Sequence, residues 1–280
     1  MHVTTRRLFC RVVFLVLCVF PTLSVIAGIV AFQLPTYKAS VQAALARRLG
    51  MSVSVDRISK PRPGLTRLVN LCVKDPENGT QVVHVGEVEV SARADITVVR
   101  LHRTRMDGAN LRGLCLAIHN NLLCQPGNAG TPMRIVADNV RVYDAAGEWL
   151  YDQVVADYHG TEAQSRMTCT VHVRLRDTAE LFTVIVDRNH ASTLPTTSFS
   201  VDTQQCHVSC RHLVPLWPFL SEVGPVTTFQ GRLWGMARTA SGWQGEGSFQ
   251  LSGMEIPVSY THLRAHETDS YLVCRLQLEK

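Results

Sequence analysis

Hydrophobic and polar residues divide the chain into an apolar N-terminal run and a long region in which they alternate. Residues 12–32 carry no charged side chain, and at about 1.5 Å per helical residue such a run spans a hydrocarbon core of roughly 30 Å. Arg6, Arg7 and Arg11 precede the run, so the positive-inside rule places residues 1–11 in the cytoplasm and the bulk of the chain beyond the membrane. We therefore expect a transmembrane helix; a cleaved secretory signal is the alternative, but its apolar region is usually shorter.

The segment after the apolar run predicts a helix that leads into the first strand. Residues 36–49 are rich in alanine, follow Pro35 and end at Gly50, a pattern typical of a helix closed by a glycine. Val53 and Val55 then alternate with serines, which is the two-residue period of a half-buried strand. We therefore expect a helix and a strand joined directly at Gly50.

Alternation of this kind recurs along most of the remaining chain. The clearest example places Val171 and Val173 on one side of a strand and His172 and Arg174 on the other. Strands with one apolar and one wet side favour an antiparallel sheet. The prediction is therefore a mainly β domain built on an antiparallel sheet, with one or two short helices. Further strands are predicted at residues 69–73, 96–101, 111–118, 133–143, 154–158, 169–175 and 183–186 and within 224–253, and a short helix is predicted within 212–223.

One strand changes parity in its middle. Val83 and Val85 share one parity, whereas Val88 and Val90 share the other, and Gly86 separates the two pairs. A glycine at such a change favours a bulge or bend. We therefore expect all four valines on the same apolar side of the sheet.

The C-terminal end has an unusual texture. Residues 258–280 resemble translated sequencing-adapter DNA. We therefore expect the native part of this sequence to end near Pro257, with its natural continuation missing. With this probable non-native tail and the membrane segment set aside, residues 33–257 form one exported, β-rich domain.

The charge of the chain argues against a nucleic-acid partner. The formal net charge is +5, and the three arginines before the apolar run belong to the membrane flank. The exported region is therefore nearly neutral, and it has no basic stripe with interleaved aromatic residues.

No constellation of residues predicts catalysis, a metal or a cofactor. Six of the nine cysteines lie in the exported region, which is compatible with disulfides of unreadable connectivity. Cys206, Cys210 and His212 lie close together, but their spacing matches no standard zinc motif. There is no nucleophile elbow, phosphate-binding glycine loop or His-Glu-x-x-His motif. We therefore expect a non-enzymatic protein without a cofactor.

The exported region resembles AsmA-like envelope proteins. The family pattern is a membrane span, a leader helix, a glycine, a valine strand, a Pro-Gly turn and a leucine-rich strand ending in Asp-Pro. Residues 44–55, 63–76 and 85–90 carry this pattern here, and residues 133–144 and 229–235 are similar to its later repeats. The cysteines and the short length depart from typical members.

The resemblance implies a single-pass protein of the bacterial inner membrane with most of its chain in the periplasm. It also implies an elongated, curved sheet whose apolar concave groove shields lipid chains during envelope lipid transport or outer-membrane assembly. The implied partners are the lipid bilayer, phospholipid and other envelope proteins. The candidate groove residues are Val53, Val55, Val83, Val85, Val171 and Val173. The alternative is a closed β-sandwich that acts as a structural or interaction module, which burial of these valines against a second layer favours.

Overall fold

The chain folds mainly into β-structure. A computed structural model describes residues 12–24, 35–125, 132–144, 147–175, 178–191, 195–212, 214, 227–238 and 242–252. Within these residues, twelve strands join in one mixed sheet, and one of the twelve is only two residues long. The helices are α1 (Pro35–Leu49) and α2 (Leu111–Ile118); the strands are β1 (Ser52–Arg62), β2 (Leu65–Lys74), β3 (Gln81–Ala92), β4 (Thr97–Asp107), β5 (Met133–Asp144), β6 (Gly147–Gly160), β7 (Gln164–Leu175), β8 (Thr178–Asn189), β9 (Thr196–Asp202), β10 (Val208–Ser209), β11 (Thr228–Arg238) and β12 (Gly242–Ser252).

Strands that follow one another along the chain are also neighbours in the sheet. From β1 to β9, the order of strands in the sheet is their order in the chain. β9 and the short β10 pair with one edge of β11, and β12 pairs with its other edge. Each pair is antiparallel except β4 and β5, which are parallel. The expectation of a purely antiparallel sheet is therefore wrong at this one pair.

Helix α2 explains the parallel pair. Two parallel neighbours require a crossover connection, and α2 with the π-turn His119–Leu123 that follows it lies between β4 and β5. The strand predicted at residues 111–118 is accordingly a helix, because its apolar residues pack at helical spacing. Leu111, Leu114 and Ala117 pack against the cores of the sheet.

Helix α1 covers the free edge of β1. Gly50 ends the helix as predicted, with φ of +65° and its N–H donating to the Ala46 carbonyl at 2.8 Å. The Lys38 ammonium donates to the carbonyl of Asp56 at 3.0 Å, and the Gln42 amide donates to that of Val55 at 3.3 Å. These bonds use main-chain acceptors that an uncovered edge strand would leave open to another chain.

A crease crosses strands β1–β6, where the pairing of neighbouring strands skips Asp56, Asn70, Gly86, Arg103, Asn139 and Asp152. Asn70, Arg103 and Asn139 have φ values of +52°, +56° and +54°, and Gly86 lies in the same line between Asn70 and Arg103. Each such residue reverses the alternation, so that side chains before and after it lie on one side of the sheet. The parity change predicted at Gly86 is confirmed, and Val83, Val85 and Val88 are all buried, as are Val140 and Ala137 on either side of Asn139.

Two clusters of buried residues form on this apolar face. The N-terminal cluster packs β1–β3 under α1 and α2, and the C-terminal cluster joins β5–β8 to β10 and β11. Leu101 and Met106 of β4 contact both. The buried members of the N-terminal cluster are Met51, Val53, Val55, Ile58, Leu68, Val73, Val82, Val83, Val85 and Val88; those of the C-terminal cluster are Ala137, Val140, Val142, Trp149, Tyr151, Val171, Phe182, Val208, Cys210 and Phe229.

The turn Cys210–His212, which follows β10, reaches back to β6. In a flat sheet, β6 and β10 would be separated by three strand spacings, or about 14 Å. Instead, the Tyr151 hydroxyl lies 3.5 Å from the carbonyl oxygen of His212, just after β10. The Arg211 guanidinium also lies 4.7 Å from the centre of the Trp149 ring. We call the apolar face, over which this turn folds back, the concave face, and the opposite one the convex face.

The N-terminal apolar run is described only in part. Residues 12–24 are helical, with a π-turn at Leu15–Val19. Among the described residues, no helix is both long and apolar enough to cross a membrane. The expected cytoplasmic segment with Arg6, Arg7 and Arg11, most of the predicted helix within 212–223 and the tail at 258–280 lie outside the described residues.

Candidate functional site

The two faces of the sheet differ in chemistry. The convex face carries ion pairs between neighbouring strands: Arg134 with Asp157 at 2.6 Å, Arg166 with Asp187 at 2.6 Å, and Arg67 with Glu89 at 2.8 Å. The hydrogen bond from Arg67 lowers the pKa of Glu89. Because solvent screens exposed pairs of this kind, they contribute little to the stability of the sheet and mainly make this face polar.

The candidate groove residues lie on the opposite, concave face. Val55 and Val85 are each 1% exposed, and Val53, Val83 and Val171 are also buried. The side chain of Val173 lies outside the described part. Four of these valines are packed under α1 and α2, so protein covers the apolar face along β1–β3.

Beyond the crease, the concave face of β5–β9 carries a second apolar surface. One cross-strand row runs through Met133, Tyr158, Met167, Val186 and Phe199, and the next row through Ile135, Ala156, Cys169, Val184 and Val201. Eight of these ten residues are half-buried, and we call six of the eight the trough: Met133, Ile135, Ala156, Met167, Val186 and Phe199. An apolar surface of this continuity, open in part to solvent, is typical of a ligand or partner contact.

Helix α2 borders the trough through Cys115. The side chain of Cys115 is exposed, yet the protein around it raises its pKa by desolvation. Cys169 lies in the second of the two cross-strand rows. Its pKa is raised to about 12, first by burial and then by the electrostatic effect of Cys115. The two thiols therefore lie close enough to interact electrostatically.

Polar side chains close one end of the trough. Arg188 of β8 and Thr197 of β9 form the cross-strand pair next to Val186 and Phe199 on the same face. The Arg188 Nη1 atom donates to the Thr197 hydroxyl at 2.9 Å. The same hydroxyl lies 2.9 Å from Nε2 of His119, which the π-turn after α2 supplies. On β7, Ser165 is buried and its hydroxyl lies 3.1 Å from Nε2 of His190.

Sequence reasoning missed this polar end. Arg188 follows Val184 and Val186 at the same parity, so a charged residue occupies a position that the alternation assigns to the apolar side. That mismatch was the available signal. The contribution of His119 was not readable, because residues 111–118 were predicted as a strand.

Within the described residues, no group of three His, Cys, Asp or Glu side chains is placed to hold a metal ion.

Comparison of the chain with protein-family models, with curated proteins and with solved structures finds no match.

Proposed function

We propose that this chain binds the acyl chain of a lipid in the trough, as a non-enzymatic, membrane-anchored protein of AsmA-like type. The observation that carries the proposal is the half-buried apolar surface of β5–β9 on a sheet whose other face bears ion pairs. Covering about 200 Å² of apolar surface is worth roughly 5 kcal/mol at 25 cal/mol per Å². A lipid chain supplies such cover without requiring hydrogen bonds.

The proposed setting is the bacterial inner membrane, with the domain in the periplasm and a role in envelope lipid transport or outer-membrane assembly. The exposed apolar side chains of the N-terminal helical segment support it, since Phe14, Leu17 and Phe20 are 60%, 69% and 71% exposed. Such side chains are stable in contact with lipid and costly in water. Phospholipid and other envelope proteins are the proposed partners.

The test is photocrosslinking of the full chain with a lipid that carries a diazirine in its acyl chain, followed by peptide mapping. Adducts are expected on β5–β9. Ala156→Phe fills the trough and is expected to lower labelling at least severalfold, because the added ring occupies the space of the ligand. Val155→Phe is the matched control, since the neighbouring residue lies on the convex face. Equal labelling of both variants, or adducts only on the N-terminal segment, contradicts the proposal.

A structural or interaction module is the second candidate. The burial of Val53, Val55, Val83 and Val85 under α1 and α2 favours it, because this half of the concave face is already closed by protein. A module of this kind predicts no acyl adducts in the trough and the same thermal stability with and without lipid.

A further inference from the structure

Arg188 is a charged residue on an apolar surface. Register places it on the concave side, two positions beyond Val186 on β8 and opposite Ser165 and Thr197 of the neighbouring strands. Beyond the crease, the concave positions of β5–β9 are every second residue, starting with the first, of the ranges 133–137, 154–158, 165–171, 182–188 and 197–201. Arg188 is the single charged residue among them.

The guanidinium of Arg188 has no anionic partner in the described part of the chain. Its Nη1 atom donates to Thr197, whereas its Nε atom is buried and makes no hydrogen bond there. The nearest carboxylate in sequence, Asp187, lies on the convex face and pairs with Arg166. A half-buried guanidinium that donates to a single hydroxyl keeps most of its hydrogen-bonding capacity.

The groups around it form a connected chain of hydrogen bonds. Thr197 accepts from Arg188 and lies 2.9 Å from Nε2 of His119, while Nδ1 of His119 lies 3.0 Å from the Asn120 side-chain oxygen. Nδ1 of His119 therefore faces an oxygen acceptor, and Nε2 faces the Thr197 hydroxyl. These bonds hold the guanidinium at the end of the trough, where Nη1 donates to Thr197 and Nε has no hydrogen-bond partner among the described residues.

We propose that Arg188 binds the carboxylate of a long-chain fatty acid whose hydrocarbon tail lies along Val186, Met167 and the rest of the trough. The inference rests on the proposed function and specifies its ligand. A carboxylate matches the planar fork of a guanidinium, and its single negative charge balances the positive charge of Arg188. A phosphate monoester would bring a second charge without a partner, which is costly in a desolvated site.

The experiment is a competition for the labelling of the full chain by a diazirine analogue of palmitate at alkaline pH. Unlabelled palmitate and the neutral hexadecanol, which has the same chain length, serve as competitors. We expect palmitate to compete at concentrations at least about tenfold lower, in line with a hydrogen bond to a charged group. Arg188→Met is expected to remove that preference, and Arg188→Lys to retain part of it because the charge remains.

The control is Arg105→Met, which removes an equal charge from an exposed position on the convex side of β4 and is expected to leave the preference unchanged. Circular dichroism establishes that each variant is folded, and the lysine variant serves if the methionine variant is not. Equal competition by palmitate and hexadecanol in the unaltered chain overturns the carboxylate site while the trough stands. Stronger competition by lysophosphatidylglycerol than by palmitate overturns it in favour of a phosphodiester. Absence of labelling by any acyl probe refutes the proposed function itself.

Discussion

His212 is a single buried residue that makes the stability of the fold depend on pH. It is 6% exposed and packs against Trp149 and Tyr151, with ring centres 6.5 and 5.5 Å away. Burial, with a smaller effect of Arg211, lowers its pKa from 6.5 to about 4. The folded chain therefore resists a proton that the unfolded chain binds.

The stability of the protein is accordingly expected to fall as the pH decreases from about 7 to 4. The His212 contribution is complete above the unfolded pKa and is lost as the pH falls toward the folded one, with a total on the order of 3 kcal/mol. His212→Phe retains a ring beside Trp149 and Tyr151 but does not titrate, so its thermal-unfolding midpoint should depend less on pH over this interval. Identical pH profiles for the two proteins would contradict the assignment.

At the same scale, the sequence predicts which residues are apolar neighbours better than it predicts what covers them. The alternation placed Val53, Val55, Val83 and Val85 on one face, and their common burial confirms that pairing. It could not reveal that α1 and α2 lie over them, because cover depends on contacts between segments far apart in sequence. Arg188 was overlooked for a related reason, since its meaning depends on the partners that β9 and the π-turn bring to it.

The crease is a property of the strands together, and it predicts a specific response to substitution. Asn139 is exposed and has φ of +54°, a conformation that β-branched residues adopt at a cost of about 1–2 kcal/mol. Asn139→Val should therefore lower the free energy of unfolding by about that amount, whereas Asn139→Gly should be close to neutral. Chemical denaturation of the two variants checks this. Equal stability would mean that β5 does not need the left-handed residue.

Most of the other elements follow from local pattern, and the exception is instructive. Gly50, the Pro-Gly turn and the valine alternation fix α1 and the first strands by short-range chemistry. Residues 111–118 contain apolar residues at positions that fit either a strand or a helix. The choice is made by topology: β4 and β5 are parallel, and their connection requires a crossover that α2 supplies.

At the scale of the whole molecule, the two clusters are joined through β4. Leu101 and Met106 pack against both the N-terminal and the C-terminal cluster, so the concave core is continuous across the sheet. A continuous core of this kind is expected to open as one cooperative unit. Among the described strands, each pairs with a near neighbour in the chain, so no pairing of sequence-distant strands joins the two halves.

This arrangement predicts that damage to one cluster is transmitted to the other. Val55→Ala should destabilise the fold by about 2 kcal/mol and increase hydrogen exchange in β1–β3 and in β5–β8 together. Val69→Ala, a matched truncation on the convex face of β2, should have a smaller effect in both places. Adding Met106→Ala to Val55→Ala removes one side chain that joins the clusters, so protection should then fall further in β1–β3 than in β5–β8. If Val55→Ala alone exposes only β1–β3, the clusters are separate folding units and β4 is a boundary rather than a bridge.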